Sequence, residues 1–109
     1  MSEGSRKIVL RPRVVSDLDQ QVAYLDSEAG IEVGDRYLAS VTATFEQLAN
    51  MPGLGVRRDY KSARLKGLRM WPVPEFPNYL IFYLVSDVSV EILRVLHGAQ
   101  DIEEILRTE

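Results

Sequence analysis

The chain has a single histidine, His97, which is the first candidate for acid–base chemistry. A neutral imidazole is a reasonable base near pH 7, because its pKa lies close to that value. Tyr83 could complete an acid–base pair with it, and Arg69 or Arg94 could hold a phosphate through charge-assisted hydrogen bonds. The competing interpretation, which the sequence favours, is structural. In it, His97 closes a strand by hydrogen-bonding backbone groups near Gly98, and Tyr83 is a half-buried sheet residue with its hydroxyl at the rim.

Arg94 is a second polar residue in an apolar setting. On the expected strand it shares a face with Val90, Ile92 and Leu96. A buried arginine needs a carboxylate or carbonyl oxygens around it. Arg94 is therefore either half of a structural ion pair, with Glu75 or a helix acid, or an anchor for a binding partner. The sequence leaves both interpretations open.

Positive charge is concentrated between residues 57 and 69. The formal net charge is −3, yet this segment has six bases against one acid. Such a patch can attract an anionic partner despite the acidic total, although a solvated loop and strand face would have the same composition. The pI of 5.2 argues against a dedicated nucleic-acid binder, whose domain pI often exceeds about 9. The six bases are Arg57, Arg58, Lys61, Arg64, Lys66 and Arg69.

The composition excludes several classes of protein. The chain has 109 residues, which fits a single domain over 1–109, with residues 1–6 expected to fray. It has no cysteine, which excludes a disulfide scaffold and a thiolate zinc site, and one histidine cannot form a histidine-rich metal site. No apolar run reaches the roughly 18 residues of a membrane span, and no secretory signal precedes the first strand. We therefore expect a cytoplasmic protein without a metal, a cofactor or a membrane partner.

Hydrophobic periodicity and helix-breaking residues define the expected elements. The dipole of the first helix would favour Asp17 and Asp19 in its first turn. In chain order, the expected elements are a strand Lys7–Leu10 closed by Pro12, a helix capped by Ser16 and ended by Gly30, a helix from about Glu32 to Ala49, extended segments Ala63–Lys66 and Leu68–Val73, a loop containing Glu75 and Phe76, a strand Tyr79–Val85, a turn Ser86–Asp87, a strand Val88–Leu96, and a helix capped by Asp101 that runs through Ile102, Ile105 and Leu106.

This order, β-α-α-β-β-β-α, predicts an α+β fold. Two helices joined by a short glycine turn form a helical hairpin, and the economical arrangement packs this hairpin on one face of an antiparallel β-sheet. Trp71, Met70 and Phe76 gather at the proline-rich bend before the strongest strand. Exposed aromatic residues mark protein interfaces, but the same side chains could fill the core under the helices.

Two stretches of the second half resemble the RelE/ParE superfamily of bacterial toxins. They are the segment 78–83, Asn-Tyr-Leu-Ile-Phe-Tyr, and the segment 90–102, which contains Arg-Val-Leu-His-Gly-Ala. Gly67-Leu68-Arg69 and the pair Asp17-Leu18 are also typical of the family. The resemblance implies the toxin of a type II toxin–antitoxin pair, neutralised by a cognate antitoxin whose C-terminal segment wraps around it.

The superfamily has two activities, and the residues of this chain resemble one branch more than the other. RelE-like members cut messenger RNA inside the ribosome, mainly with Arg, Lys and a Tyr near the strand ends, whereas ParE-like members block DNA gyrase. At the positions of the nuclease residues this chain has Leu80, Ala99-Gln100, Ile105-Leu106 and Met70-Trp71-Pro72. The resemblance therefore implies a ParE-like gyrase inhibitor without a catalytic residue of its own.

Two alternatives stay open beside this interpretation. One is a ribosome-dependent mRNA endoribonuclease that uses Arg69, Tyr83, Arg94 and His97; a hollow lined jointly by guanidinium, ammonium and imidazole groups would favour it. The other is a decayed member that binds antitoxin without being toxic.

The expected partners are a cognate antitoxin, bound in an exposed apolar groove beside the sheet to form a hetero-oligomer, and DNA gyrase. In the alternative, the partners are the ribosome and messenger RNA. The residues expected to bind the target or the antitoxin are Arg57, Arg58, Lys61, Arg64, Lys66, Arg69, Trp71, Phe76, Arg94, His97, Ile102, Ile105 and Leu106.

Overall fold

A computed structural model describes residues 5–109 of the chain. The expectation that residues 1–6 fray falls mostly on residues 1–4, which lie outside the described residues. Arg6 is held in place, since its backbone N–H donates to the Ala49 carbonyl at 2.9 Å. The elements are β1 (Lys7–Leu10), α1 (Pro12–Ala29), α2 (Ile31–Asn50), a 3-10 turn (Pro52–Leu54), β2 (Val56–Arg57), a 3-10 turn (Ala63–Leu65), β3 (Arg69–Val73), β4 (Phe76–Val85), β5 (Ser89–His97) and α3 (Ile102–Arg107).

The strands form one sheet in the order β1-β5-β4-β3-β2. β3, β4 and β5 pair antiparallel, as expected, and β2 pairs antiparallel with β3. The helical hairpin covers one face, so the α+β class is confirmed. The sheet is mixed rather than wholly antiparallel, because β1 pairs parallel with β5. The physical reason is the connection: two helices and three strands separate β1 from β5 along the chain, so no tight hairpin turn forces these two strands to run antiparallel.

The start of α1 differs from the expectation. Ser16 is not the N-cap, since the helix already begins at Pro12, after Arg11 in an extended conformation. Proline has no N–H to lose and its φ suits the first helical turn, so the residue expected only to close β1 also opens α1. Asp17 consequently lies in the second turn, where its side chain faces the sheet. At the other end Gly30 stops the helix as expected, with a φ of +103°.

Between α2 and β4 the chain departs from the expected extended segments. Val56–Arg57 forms a short edge strand that the sequence did not indicate, and Ala63–Leu65 is a 3-10 turn. Phe76 was expected in a loop but begins β4, because Pro74 and Glu75 alone make the turn; Glu75 has a φ of +69°. The Ser86 turn is present, with its N–H donating to the Ser89 carbonyl at 2.9 Å.

The two faces of the sheet carry separate cores. The hairpin face packs against α1 and α2, whereas the loop face packs against α3 and residues 60–68. On the hairpin face the buried residues are Val14, Leu18, Tyr37, Val41, Phe45, Leu48, Val73, Tyr79, Ile81, Tyr83, Val90, Ile92 and Val95. On the loop face they are Leu65, Leu68, Phe82, Leu93, Leu96 and Leu106.

A register shift in β4 and β5 corrects the expected alternation. Val90, Ile92, Arg94 and Leu96 do not share a face: Val90 and Ile92 belong to the hairpin-face core, and Leu96 to the loop-face core. The shift lies between Phe82 and Tyr83, opposite Arg94 and Ile92. A bulge adds one residue to one strand, so every later side chain changes face.

A buried ion pair joins α1 to β5. The Arg94 guanidinium donates to both Asp17 carboxylate oxygens, at 2.7 and 2.8 Å, and to the Glu109 carboxylate at 3.1 Å. The Asp17 carboxylate also accepts the Val95 N–H at 3.1 Å, and the Gln21 amide donates to the Val95 carbonyl at 2.8 Å. Side chains of α1 therefore form hydrogen bonds with the backbone groups of β5 just beyond the point where β1 stops pairing with that strand.

Tyr83 fixes the turn after α2. Its hydroxyl donates to the Pro52 carbonyl at 2.8 Å and accepts the Gly55 N–H at 2.7 Å. A Cβ at Gly55 would collide with the Tyr83 ring and hydroxyl, so glycine is required there for close approach. The side chain is fully buried, which corrects the expectation of a hydroxyl at the rim.

Asp17→Asn tests the ion pair. The substitution keeps the shape of the side chain but removes the carboxylate that accepts two of the Arg94 hydrogen bonds, which leaves only Glu109 to compensate the buried cation. We therefore expect the free energy of unfolding to fall by about 3 kcal/mol. Urea unfolding followed by circular dichroism measures this change. The control is Glu75→Gln, which removes the exposed Arg36–Glu75 pair and should cost less than about 1 kcal/mol. Equal losses in the two variants would contradict the role given to Asp17.

Tyr83→Phe tests the hydrogen bonds of the turn. Without the hydroxyl, a buried N–H and a carbonyl lose their partner, and we expect the free energy of unfolding to fall by about 1–3 kcal/mol. The matched control is Tyr24→Phe, at an exposed position, which should change stability by less than about 0.5 kcal/mol. A Tyr83→Phe variant as stable as this control would show that the turn does not depend on the hydroxyl.

Candidate functional site

His97 lies at the end of β5, where its ring Nδ1 and its backbone N–H form hydrogen bonds within the chain. Its Nδ1 accepts the Ala99 N–H at 3.0 Å, and its own N–H donates to the Gln100 side chain at 2.7 Å. The Gly98 N–H donates across the ladder to the Asn78 carbonyl at 2.8 Å. Because Nδ1 accepts, the neutral ring has its proton on Nε2. These contacts agree with the structural interpretation, in which His97 closes the strand by bonding to groups near Gly98.

The structure does not bring Tyr83 and His97 together. His97 pairs with Tyr79, and their rings lie 4.9 Å apart, edge to face. Tyr83 is four residues further along the same strand, which places it about 13 Å away at the rise of a β-strand. Burial raises the pKa of Tyr83, and the hydroxyl is already bound on both sides. These two residues do not form an acid–base pair in this arrangement.

The two arginines of that set are engaged within the chain. Arg94 pairs with a helix acid, Asp17, and not with Glu75, which lies 3.3 Å from Arg36. The hydrogen bond to Asp17 is the main reason that the pKa of Arg94 is raised. The Arg69 guanidinium donates to the Gly55 carbonyl at 2.6 Å. Arg94 thus forms a structural ion pair with Asp17, which favours the ion-pair interpretation over that of an anchor for a binding partner.

Four of the six clustered bases line one hollow on the loop side of the sheet. Arg57, Arg58, Lys61 and Lys66 surround a space of about 280 Å³, together with Tyr60 and Ser62 among others. We call this site the cationic hollow. It gathers guanidinium and ammonium groups, but His97 does not line it. The feature that would have favoured a nuclease, an imidazole beside these cations, is not formed within residues 5–109.

The imidazole lines a second space, on the hairpin side, of about 390 Å³ between α1 and the ends of β4 and β5. We call it the tyrosine pocket. Desolvation raises the pKa of Tyr79, whose ring also lies 4.9 Å from that of Tyr37. Tyr24 is 59% exposed at its mouth. The residues that line the pocket are Asp17, Gln20, Gln21, Tyr24, Tyr79, His97, Ala99 and Gln100.

Most residues of the tyrosine pocket were not among the binding residues predicted from the sequence. Asp17, Gln20, Gln21 and Tyr24 recur at helical spacing, and this polar stripe beside the apolar one was the signal that could have found them. A groove was expected beside the sheet and one is present there, but polar groups line it together with the tyrosines, so it is not purely apolar.

The apolar binding candidates pack largely inside the chain. Phe76 meets Tyr37 edge to face at 5.2 Å and lies under the Arg36 guanidinium, and Trp71 packs against the hairpin-face core. On the loop face Ile102 and Ile105 are half-buried. Leu106 is 1% exposed, so it could reach a partner only if α3 left the sheet.

Within residues 5–109, no group of three or more His, Cys, Asp or Glu side chains is placed to hold a metal ion. No helix in the same range is long and apolar enough to cross a bilayer.

Comparison with known proteins places the chain in a family. Residues 8–102 match the sequence pattern of the ParE toxin of the type II toxin–antitoxin system parDE. Toxin ParE1 of Caulobacter vibrioides is 32% identical over 92 residues, which are 84% of this chain and 88% of that protein. A chain from the solved chromosomal ParDE TA system of P. aeruginosa superposes with a TM-score of 0.70 at 15% identity, covering 87% of this chain and 98% of that one.

The structural neighbour supports the fold alone, whereas the sequence matches span nearly the whole chain and agree with each other. The resemblance to RelE/ParE toxins is confirmed. The chain belongs to the ParE toxin family of type II toxin–antitoxin systems.

Proposed function

We propose that this chain inhibits DNA gyrase by binding to it, in the cytoplasm, and that a cognate antitoxin neutralises it by forming a hetero-oligomer with it. Family membership supports the toxin role and implies an antitoxin partner. In this mechanism the chain traps gyrase on cleaved DNA and breaks no bond itself.

One observation supports binding over RNA cleavage: the sheet separates the imidazole from the clustered cations. His97 pairs with Tyr79, whose ring belongs to the hairpin-face core, whereas the cationic hollow is anchored through Leu65 on the loop face. Cleavage of a phosphodiester requires proton transfer and charge stabilisation at the same phosphate. Groups on opposite faces of one sheet cannot serve one phosphate.

The tyrosine pocket is the surface best suited to a protein partner. Tyr24 is a large exposed aromatic beside a concave site with amide groups from Gln20 and Gln100. Tyrosine combines a large apolar area with a hydrogen-bonding tip, and such residues are enriched among those that dominate binding energy. We assign this pocket to the antitoxin, in place of the purely apolar groove expected from the sequence.

Supercoiling and RNA cleavage assays test the inhibition of gyrase. We expect the purified chain to block supercoiling by gyrase, and primer extension on translated messenger RNA to show no codon-linked cuts. His97→Ala serves as the matched variant, since the substitution removes the only imidazole of the chain and would abolish RNA cleavage if His97 were its general base. Codon-linked cleavage that disappears in His97→Ala, with gyrase unaffected by the parent chain, would overturn the proposal in favour of an endoribonuclease. Growth unaffected by expression without antitoxin would indicate a non-toxic member.

Tyr24→Ala tests the assignment of the antitoxin site. Loss of the exposed ring should weaken binding of the cognate antitoxin by about tenfold or more, as for a residue near the centre of an interface. Titration calorimetry with the acidic product of a neighbouring gene gives the affinity. Val88→Ala is the control, because Val88 is 74% exposed on the opposite end of the chain's last hairpin. If both variants bind like the parent chain, the pocket is not the antitoxin site.

A further inference from the structure

We propose that the cationic hollow binds the phosphate backbone of duplex DNA, independently of base sequence. The inference deepens the proposed function and rests on it for its setting, since gyrase acts on DNA and a bound inhibitor would lie beside the duplex. The binding itself is a property of this chain alone and can be measured without gyrase.

The loop that forms the hollow is held in shape from inside. Leu65 and Leu68 are buried in the loop-face core, at 2% and 0% exposure. The Arg58 N–H donates to the Leu68 carbonyl at 2.9 Å, which closes the loop, and the Lys66 N–H donates to the Ala63 carbonyl at 3.2 Å at the end of the 3-10 turn within it. The cations are therefore displayed outward from a fixed backbone, without an ordering cost at binding for the loop as a whole.

The cations of the hollow form no ion pair within the described part of the chain, although one acid, Asp59, also lines the hollow. Elsewhere Arg11, Arg13, Arg36, Arg94 and Arg107 all form ion pairs. Within the described part of the chain, none of the six bases of residues 57–69 has a carboxylate within ion-pair distance; Arg64 and Arg69 donate to backbone carbonyls instead. In a chain with more acids than bases, this leaves an electropositive site available to an external anion.

The chemistry of the outward face favours phosphate over an acidic peptide. Its exposed charged side chains are one acid, Asp59, and five bases, and its two leucines point inward. The five bases are Arg57, Arg58, Lys61, Arg64 and Lys66. Protein interfaces depend on apolar and aromatic anchors and are depleted in lysine. Contacts to phosphate and sugar are made by Arg and Lys together with Ser, Tyr and backbone N–H groups. At the hollow, Tyr60 and Ser62 supply the tyrosine and serine side chains.

Duplex DNA fits the number of cations at the hollow and the lack of a base-reading element in this loop. A duplex presents one negative charge per about 1.7 Å of its axis, so several cations of one hollow meet several phosphates. A loop with a 3-10 turn of three residues offers no helix long enough to follow the major groove. Four phosphate contacts predict a slope of about −3.6 for the logarithm of the association constant against the logarithm of salt concentration.

Fluorescence anisotropy with a labelled 20-base-pair duplex tests the inference, with the full chain and no gyrase. Lys61→Gln combined with Lys66→Gln should weaken binding by about tenfold and reduce the salt slope by about two. The control is Lys7→Gln combined with Arg36→Gln, which changes the net charge equally on another surface and should leave both values near those of the parent chain.

Three results would overturn the inference: no binding of the duplex at low salt, equal losses in the two double variants, or a polyglutamate peptide that binds the hollow more tightly than DNA and displaces it. The last result would assign the hollow to an acidic peptide. Gyrase inhibition without duplex binding would remove this inference and leave the proposed function intact. Duplex binding with active gyrase would remove the proposed function and leave this inference.

Discussion

The contact between the Asp17 carboxylate and the Arg94 guanidinium fixes the position of α1 on the sheet. β1 pairs with β5 only as far as Ile92, and beyond it the edge of β5 would present polar backbone groups to solvent or to another chain. Asp17 and Gln21 occupy this edge by bonding to Val95. The same carboxylate thus neutralises a buried cation and caps a strand, so its removal would leave the Val95 N–H without this partner and the Arg94 guanidinium with the Glu109 carboxylate alone.

The same arginine connects the two sides of the sheet. Its third donor reaches Glu109, which follows α3, so the position of α3 is tied to that of α1. α3 in turn places Leu106 in the cluster that contains Leu65, and the Arg64 guanidinium donates to the Arg107 carbonyl at 3.1 Å. A path of contacts therefore leads from the buried ion pair to the base of the cationic hollow. The ion pair positions both candidate surfaces, and one of its members, Asp17, itself lines the tyrosine pocket.

Local patterns allowed the helical hairpin, the strongest strand and the Asp101 cap to be predicted, because each depends on residues close in sequence; the Asp101 side chain accepts the Glu104 N–H at 3.3 Å. Ser16 was misassigned as an N-cap because a serine before two aspartates is a strong local signal, and Pro12 prevailed over it. Strand alternation failed at the bulge, which depends on the pairing of two strands. The need of Arg94 for a carboxylate was predictable, but its partner lies 77 residues away. The tyrosine pocket was missed for the same reason.

The cationic hollow keeps its shape because burial of the leucines beneath it is more favourable than the repulsion between its cations is unfavourable. Burial of a leucine side chain contributes about 1.5–3 kcal/mol, and Leu65 and Leu68 are both buried beneath the loop. Repulsion between two exposed cations about 4 Å apart amounts to about 1 kcal/mol in water and falls with salt. The apolar anchors therefore outweigh the repulsion, and the cations stay close together in the free chain. A polyanion that occupies the hollow replaces this repulsion by attraction without rebuilding the loop, which is the physical basis for assigning the hollow to a phosphate backbone.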